Sequence, residues 1–385
     1  MRAVNMRRAG LSALVALVCF GLSACGSSSS SNSSTSSAAS GSASSSGSAS
    51  SAASSPVQAA AAAIAPYEHT PTSIGQTQPL THRPTGKVFD FISDGTPFDE
   101  QLLAGVQQAT TALGDRLQVI QQQGDTPQAV QVAWNQVVSH PPAVVMGGGD
   151  PTILFHHQLS VLHAKHIPVV EFFTNEDPLL SANIYGPPQY AQLGKLEADY
   201  IIAKSGGKAH VLVLAVPEIS GLQGTVAAML KQFKSACSSC TASAIDTQLT
   251  DIGKNDPTRV VSYVQQNPST NWIVFTDADT EIGVPEALAG AGVHGIQMLS
   301  GAGSKVNYAY IKSGVSTVDA AQPASFSGWA LVDAAARVLS GMPVHVSFFP
   351  MEFLTKPDLT FDINQSWPDV PNFRQKFEAL WGVGK

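Results

Sequence analysis

Lysine and arginine are scarce in this chain, 21 among 385 residues against 28 aspartates and glutamates, and they nowhere gather into a run. A formal charge of −7 without a basic patch leaves no electrostatic footprint for DNA or RNA, which argues against a nucleic-acid partner. Cysteine is rarer still, with four residues and no second Cys or His pair at zinc-ligand spacing near Cys237 and Cys240. The apolar run Leu11–Leu22 is about a dozen residues long, short of the roughly 20 needed to cross a bilayer as a helix. There is no Gly-x-Ser-x-Gly elbow, no His-Glu-x-x-His and no Walker motif. Neither catalysis nor a cofactor is therefore expected.

What is present begins with an address. Arg2, Arg7 and Arg8 precede the apolar run, which ends in Leu22-Ser23-Ala24-Cys25-Gly26. That string resembles the lipobox of bacterial lipoproteins. The resemblance implies cleavage after residue 24 and a lipid on Cys25, the thiol being the nucleophile that forms the thioether. An ordinary secretory signal with a chance cysteine is the alternative. From Gly26 to about Ala65 the chain is almost entirely Ser, Ala and Gly. Such a segment cannot bury enough apolar surface to offset its ordering entropy. Residues 25–86 are therefore expected to be a flexible tether and lead-in to a body starting near Lys87. In an oxidising compartment Cys237-Ser-Ser-Cys240 reads as a small structural disulfide at a helix end.

The body alternates short apolar runs with amphipathic stretches. Val88–Ser93, Leu117–Gln121, Ala143–Met146 and Pro168–Phe173 read as strands. Helical spacing separates them, as in Phe98, Leu102, Val106, Ala109 and Leu113. A second series follows: strands at Ala209–Ala215, Ala242–Thr247, Trp272–Thr276, Ile296–Leu299 and Val315–Ala320, a helix from about Glu281, and a long helix Ser325–Ser340. The fold class is α/β, with parallel sheets covered on both faces. Two successive series, and a length beyond what one core serves, predict two lobes. In such sheets ligands sit outside the carboxyl ends of the strands. The loops of interest therefore follow Ser93, Met146, Phe173, Ala215, Thr276 and Leu299.

At these loops the chain resembles the type I periplasmic binding proteins, the ribose- and galactose-binding group that shares its fold with LacI-type regulators. The marks are Pro97-Phe98 opening the first helix; Ile167-Pro168-Val169-Val170 before a loop; Val274-Phe275-Thr276-Asp277-Ala278-Asp279 leading into a helix; and Gly314 eight residues before Gln322-Pro323. The segment Gly328-Trp329-Ala330…Asp333…Arg337…Gly341 resembles the final long helix of many members. The likeness implies two Rossmann-like lobes joined by a three-crossing hinge. Residues 87–186 with 323–342 would form the first lobe, and 187–322 with 343–385 the second, Phe361–Lys385 packing on the second. It implies a monomeric, lipid-anchored, extracytoplasmic solute-binding protein that closes on a small molecule and docks on the permease and ATPase subunits of an ABC importer. A receptor domain feeding a membrane signalling protein uses the same cleft, and a divergent secreted enzyme is a third reading. The lack of N-terminal DNA-binding helices and the export signal set aside a repressor.

By the same resemblance the ligand contacts fall at Asp94, Phe98, Phe173, Thr174, Gln223, Thr225, Asp277, Ala302 and Gln322. The Asp-Arg pair that sugar-binding members use at the fourth strand is here Phe173-Thr174. A cleft lined by Phe98, Phe173 and Ile252 lacks a hydroxyl-binding network. Both a sugar and a less polar aromatic metabolite therefore remain open as ligands. Phe98 can stack on a ligand ring or pack in the core, and Asp94 and Asp277 can accept ligand hydrogen bonds or cap helix starts. Asp279 reads as a cap. His156, His157, His163 and His166 lack the i, i+4 spacing of helical metal ligands and read as a solvated face, so no metal is expected. Gly147-Gly148-Gly149 reads as a strand-to-helix turn rather than a phosphate cradle, since no Lys-Ser/Thr pair accompanies it.

Overall fold

The computed structural model describes residues 55–124, 126–345, 347–365 and 367–383. The leader, Cys25 and most of the Ser/Ala-rich stretch lie outside the described residues. The lead-in is ordered from Ser55, which corrects the expectation of a flexible segment up to residue 86. Helix α1 (Pro56–Ile64) starts in a capping box, Ser55 Oγ accepting from Gln58 N and Gln58 Oε1 accepting from Ser55 N. Its alanines are strong helix formers, and Ala60 and Ile64 are buried against the body.

Five parallel strands make the first sheet: β1 (Val88–Ser93), β2 (Arg116–Gln121), β3 (Val144–Gly148), β4 (Val169–Phe172) and β5 (Ala182–Ile184), in the order β2-β1-β3-β4-β5. Strand β1 is flanked in register by β2 and β3, Phe89 lying beside both Leu117 and Val144. Helices α2 (Pro97–Leu113), α3 (Pro127–Ser139) and α4 (His156–Ala164) connect the strands. Thr96 and Thr126 cap α2 and α3 by accepting from the backbone N–H of Asp99 and Ala129, each with proline in the first turn.

The second lobe is built from α5 (Pro187–Lys204), β6 (His210–Ala215), α6 (Ser220–Ala236), β7 (Thr241–Asp246), α7 (Asp256–Gln266), β8 (Trp272–Phe275), α8 (Val284–Gly290), β9 (Gln297–Gly301), α9 (Lys305–Ser313) and β10 (Val318–Ala321). Its sheet runs β11-β10-β9-β8-β6-β7, where β11 (Glu352–Leu354) is antiparallel to β10 and the others are parallel. The helix expected from about Glu281 is in two pieces, a 3₁₀ turn at Ala278–Glu281 and then α8. Cys237 and Cys240, just past α6, are joined with a Cα–Cα distance of 5.3 Å.

Helix α10 (Ala324–Leu339) returns to the first lobe and packs against α2, β3, β4 and β5. The contact is backbone to backbone. A Cβ on Gly105 would lie 2.2 Å from the Ser325 carbonyl oxygen, and one on Gly328 would lie 2.4 Å from that of Leu102. Helix α11 (Phe373–Trp381) then covers α10 and α2, with Trp381 stacked on Trp329 at 5.2 Å and Phe377 5.5 Å from Phe326. This corrects the expectation that Phe361–Lys385 packs on the second lobe. Trp367 joins Tyr308 and Leu354 there, but the aromatic stripe of α11 belongs to the first. Arg337 is fully buried, its Nε donating to Asp333 Oδ2 at 2.7 Å, and Trp381 Nε1 donates to the other oxygen at 2.8 Å.

The lead-in runs over both lobes. Helix α1 lies on α5, and Lys204 pairs with Glu68 at 2.6 Å. Further along, Arg337 donates to Gln78 O, Leu80 N to Leu380 O, and Ser340 Oγ to His82 O.

Buried carboxyl groups held above the usual carboxylate range are a recurrent cost. Burial, with Asp319 nearby, pushes Glu197 up to about 8, and burial pushes Asp319 itself to about 8. Glu281 and Asp369 are pushed up to about 7, again mainly by burial. A carboxyl whose folded pKa exceeds its unfolded value binds more protons when folded. Its stabilising contribution is full below the ordinary carboxylate range and is lost as pH rises through the folded pKa. The melting temperature is therefore expected to fall as pH rises from about 5 to about 8, and a flat or rising profile in differential scanning calorimetry would contradict this assignment. The α2–α10 contact gives a second expectation. G328A should cost about 1–3 kcal/mol in urea unfolding, because both partners are backbone and cannot yield. G290A, with nothing within 4 Å of its Cβ, should cost nothing.

Candidate ligand-binding cleft

The carboxyl ends of both sheets converge on one cleft. At its edge Ser220 Oγ, opening α6, lies 3.4 Å from the Gly149 carbonyl oxygen of the other lobe. In the turn after β1, Asp94 Oδ1 accepts from Thr96 N at 2.8 Å, so it fixes the turn while Thr96, not Asp94, caps α2. Asp99, one turn on, is buried and accepts from Ser93 Oγ and Gly95 N. Burial and then the Asp94 charge push it up to about 7. Asp94 is itself raised by burial.

A small cavity opens on the floor of the first lobe, lined by Asp94, Gln122, Trp134, Gly147, Asp150 and Glu171. Glu171, the one acid in the apolar run of β4, is 1% exposed. Its Oε1 has no hydrogen-bond partner among the described residues, and neither does the side-chain amide of Gln122, which is 3% exposed. Gly147 makes room for Glu171, since a Cβ there would sit 3.0 Å from Oε1. Burial, and then the Asp150 charge, hold the Glu171 carboxyl well above the usual range. From the second lobe comes Tyr190, whose buried hydroxyl is also without a partner and is driven up by burial and by Glu171.

Phe98, Phe172 and Phe173 form an aromatic cluster near the same end of the sheet. Phe173 takes a left-handed backbone (φ 60°) that turns its ring edge-on to Tyr190 at 4.1 Å, with Phe172 stacked at 5.4 Å. Phe98 stacks on the same Phe172 at 6.2 Å and remains half-buried. Asp277, after β8, caps the 3₁₀ turn by accepting from Asp279 N at 2.9 Å. It is pushed up to about 7 by burial, then by Asp279 and by Asp94 across the cleft. Gln322 follows β10 and is half-buried, its amide making no hydrogen bond among the described residues.

The remaining expected contacts have partners within the protein. Thr174 is buried and donates to Asp150 O at 2.5 Å, holding two loops together. Thr225 is 1% exposed where α6 crosses α5, its carbonyl 2.0 Å from where a Cβ on Gly194 would be, so it faces the helix contact and not the cleft. Gln223 is exposed and donates to Pro217 O. Ala302 has φ 62° and donates to Ala320 O, so it offers backbone alone. The adjacent Gly303 N and Ser300 Oγ donate to Asp319, which fixes this loop. His156 lies 3.2 Å from Asp177 on an exposed face. The Gly147–Gly149 turn sits beside Glu171 and Asp150, an environment that repels phosphate. Sequence reasoning missed Gln122, Asp150, Glu171, Tyr190 and Ser220. The one available signal was an acid inside the strand Pro168–Phe173.

Comparison with solved structures finds the same fold at low identity. The glucose-galactose binding protein of Geobacillus stearothermophilus superposes with a TM-score of 0.65 at 16% identity, covering 72% of this chain and 100% of that one. A 5-methylthioribose transporter solute binding protein from Thermotoga lettingae gives 0.65 at 15%, covering 78% and 99%. A carbohydrate transporter solute binding protein from Agrobacterium radiobacter, in complex with D-arabinose, gives 0.62 at 16%, covering 77% and 98%. No curated protein matches the chain by sequence. A family model described as a periplasmic binding protein domain matches residues 88–343, two lobes and cleft together, and the chain belongs to that family.

Proposed function

We propose that this protein captures a small sugar-like solute between its lobes outside the cytoplasm and presents it to the permease and ATPase subunits of an ABC importer. It performs no chemistry on the solute. The observation that carries the reading is the set of unpartnered, buried polar groups where the lobes meet: Glu171, the Gln122 amide and the Tyr190 hydroxyl. Such groups are costly unless something pairs with them, and a solute bearing hydroxyl or amino groups does so. Asp94, Phe98, Phe173, Asp277 and Gln322 complete the proposed contact set. The cluster of Phe98 and Phe173 suits the apolar face of a ring. The export leader and the lipid on Cys25 belong to the same proposal. No helix among the described residues is long and apolar enough to cross a membrane.

Solute should draw the lobes together, so small-angle X-ray scattering at saturating ligand should give a smaller radius of gyration than the free protein. An unchanged radius contradicts the capture mechanism. Gln322→Ala should weaken binding by about 1–3 kcal/mol if its amide pairs with ligand in the closed cleft. Isothermal titration that returns full affinity for this variant removes Gln322 from the site.

A further inference from the structure

Acidic side chains gather at the cleft. Asp94, Asp99, Asp150 and Glu171 stand on the first lobe and Asp277 and Asp279 on the second. None of the ion pairs among the described residues involves Asp94, Asp99, Glu171, Asp277 or Asp279. The charged groups that act on them are other acids: Asp94 on Asp99, Asp150 on Glu171, Asp279 and Asp94 on Asp277. Burial and acidic neighbours disfavour the ionised form of these groups, and a cation entering the cleft would offset that disfavour where a neutral solute would not. An acidic cluster alone would be an ordinary surface feature. Here Glu171 is 1% exposed, lines the cavity, and has an oxygen with no donor.

Resting on the solute-capture reading, we propose that the ligand is a cation: a sugar or polyol bearing a protonated amine. Its ammonium group sits in the cavity among Asp94, Asp150 and Glu171. Three N–H donors answer an acceptor-rich floor better than one hydroxyl, and the charge favours the ionised form of these groups. The Gln122 amide accepts from or donates to a neighbouring hydroxyl. The ring lies against the cluster of Phe98 and Phe173, where its C–H face needs no hydrogen bond.

Matched pairs that differ only in this group test the assignment. The purified full-length protein is titrated calorimetrically at neutral pH with D-glucosamine against D-glucose, D-galactosamine against D-galactose, and D-glucamine against D-sorbitol. In at least one pair the amine should bind about tenfold or more tightly than its hydroxyl partner, the worth of one charge-assisted hydrogen bond. Glu171→Gln should bring that pair to within about threefold, since it keeps shape and removes charge. Asp94→Asn, at a half-buried turn, supplies the same readout should Glu171→Gln fold poorly. Equal or tighter binding of the neutral members overturns the amine assignment and leaves solute capture standing. Failure of every member of every pair to bind overturns both.

Discussion

The requirement that a parallel sheet be covered on both faces organises this molecule. In the first lobe α3 and α4 cover one face, and α2 covers the other only in part. The rest is supplied by α10, which is synthesised after the whole second series of strands and helices. The chain must therefore leave the first lobe, build the second and come back, which makes the connection between lobes multiple. Gly105 and Gly328 let α2 and α10 meet at backbone distance. Helix α11 and the lead-in then seal the outer surface, through Trp381 on Asp333 and Gln78 on Arg337. The lead-in touches α5 at one end and α10 at the other, so it spans the hinge side of both lobes.

Because strands run parallel, their carboxyl ends in each sheet share one edge, and the multiple connection turns those edges toward each other. This is why Asp94, so distant in sequence, acts on the protonation of Asp277. Three helix starts point at the same place, those of α2, α6 and the 3₁₀ turn after β8. Their positive ends offset part of the cost of so many acids. The offset is incomplete, as the raised carboxyl groups attest.

The succession of strands and helices and the lobe count were legible because apolar runs alternating with 3.6-residue periodicity admit few folds. Helix α1 was not, since PVQAAAAAI merges in composition with the Ser/Ala-rich stretch before it. What distinguishes it is local: the Ser55–Gln58 box, Pro56 in the first turn, and apolar Ala60 and Ile64 one turn apart. Thr225 was misplaced for a geometric reason. A helix turns about 100° per residue, so α6, starting at Ser220, presents Ser220 to the cleft and Thr225 to α5. Glu171 was passed over because a strand buried on both faces reads as one apolar block, which hides the side chain that does not belong there.

Two buried acid groups show how position decides role. Asp319 and Glu197 in the second lobe are as buried as Glu171, yet Ser300 and Gly303 donate to Asp319, and burial pushes both carboxyl groups up to about 8. A proton held on such a carboxyl removes its charge and so lowers the cost of burying it. Glu171 has Asp150 as its charged neighbour on the same lobe, an open cavity in front of Oε1, and a tyrosine hydroxyl from the opposite lobe nearby but not bonded to it. In the proposed reading its donor comes from the solute. The same desolvation that the second lobe absorbs as a fixed structural cost becomes, at the cleft floor, a cost that falls only when a donor-bearing solute enters. That difference gives the closed state a reason to wait for its ligand.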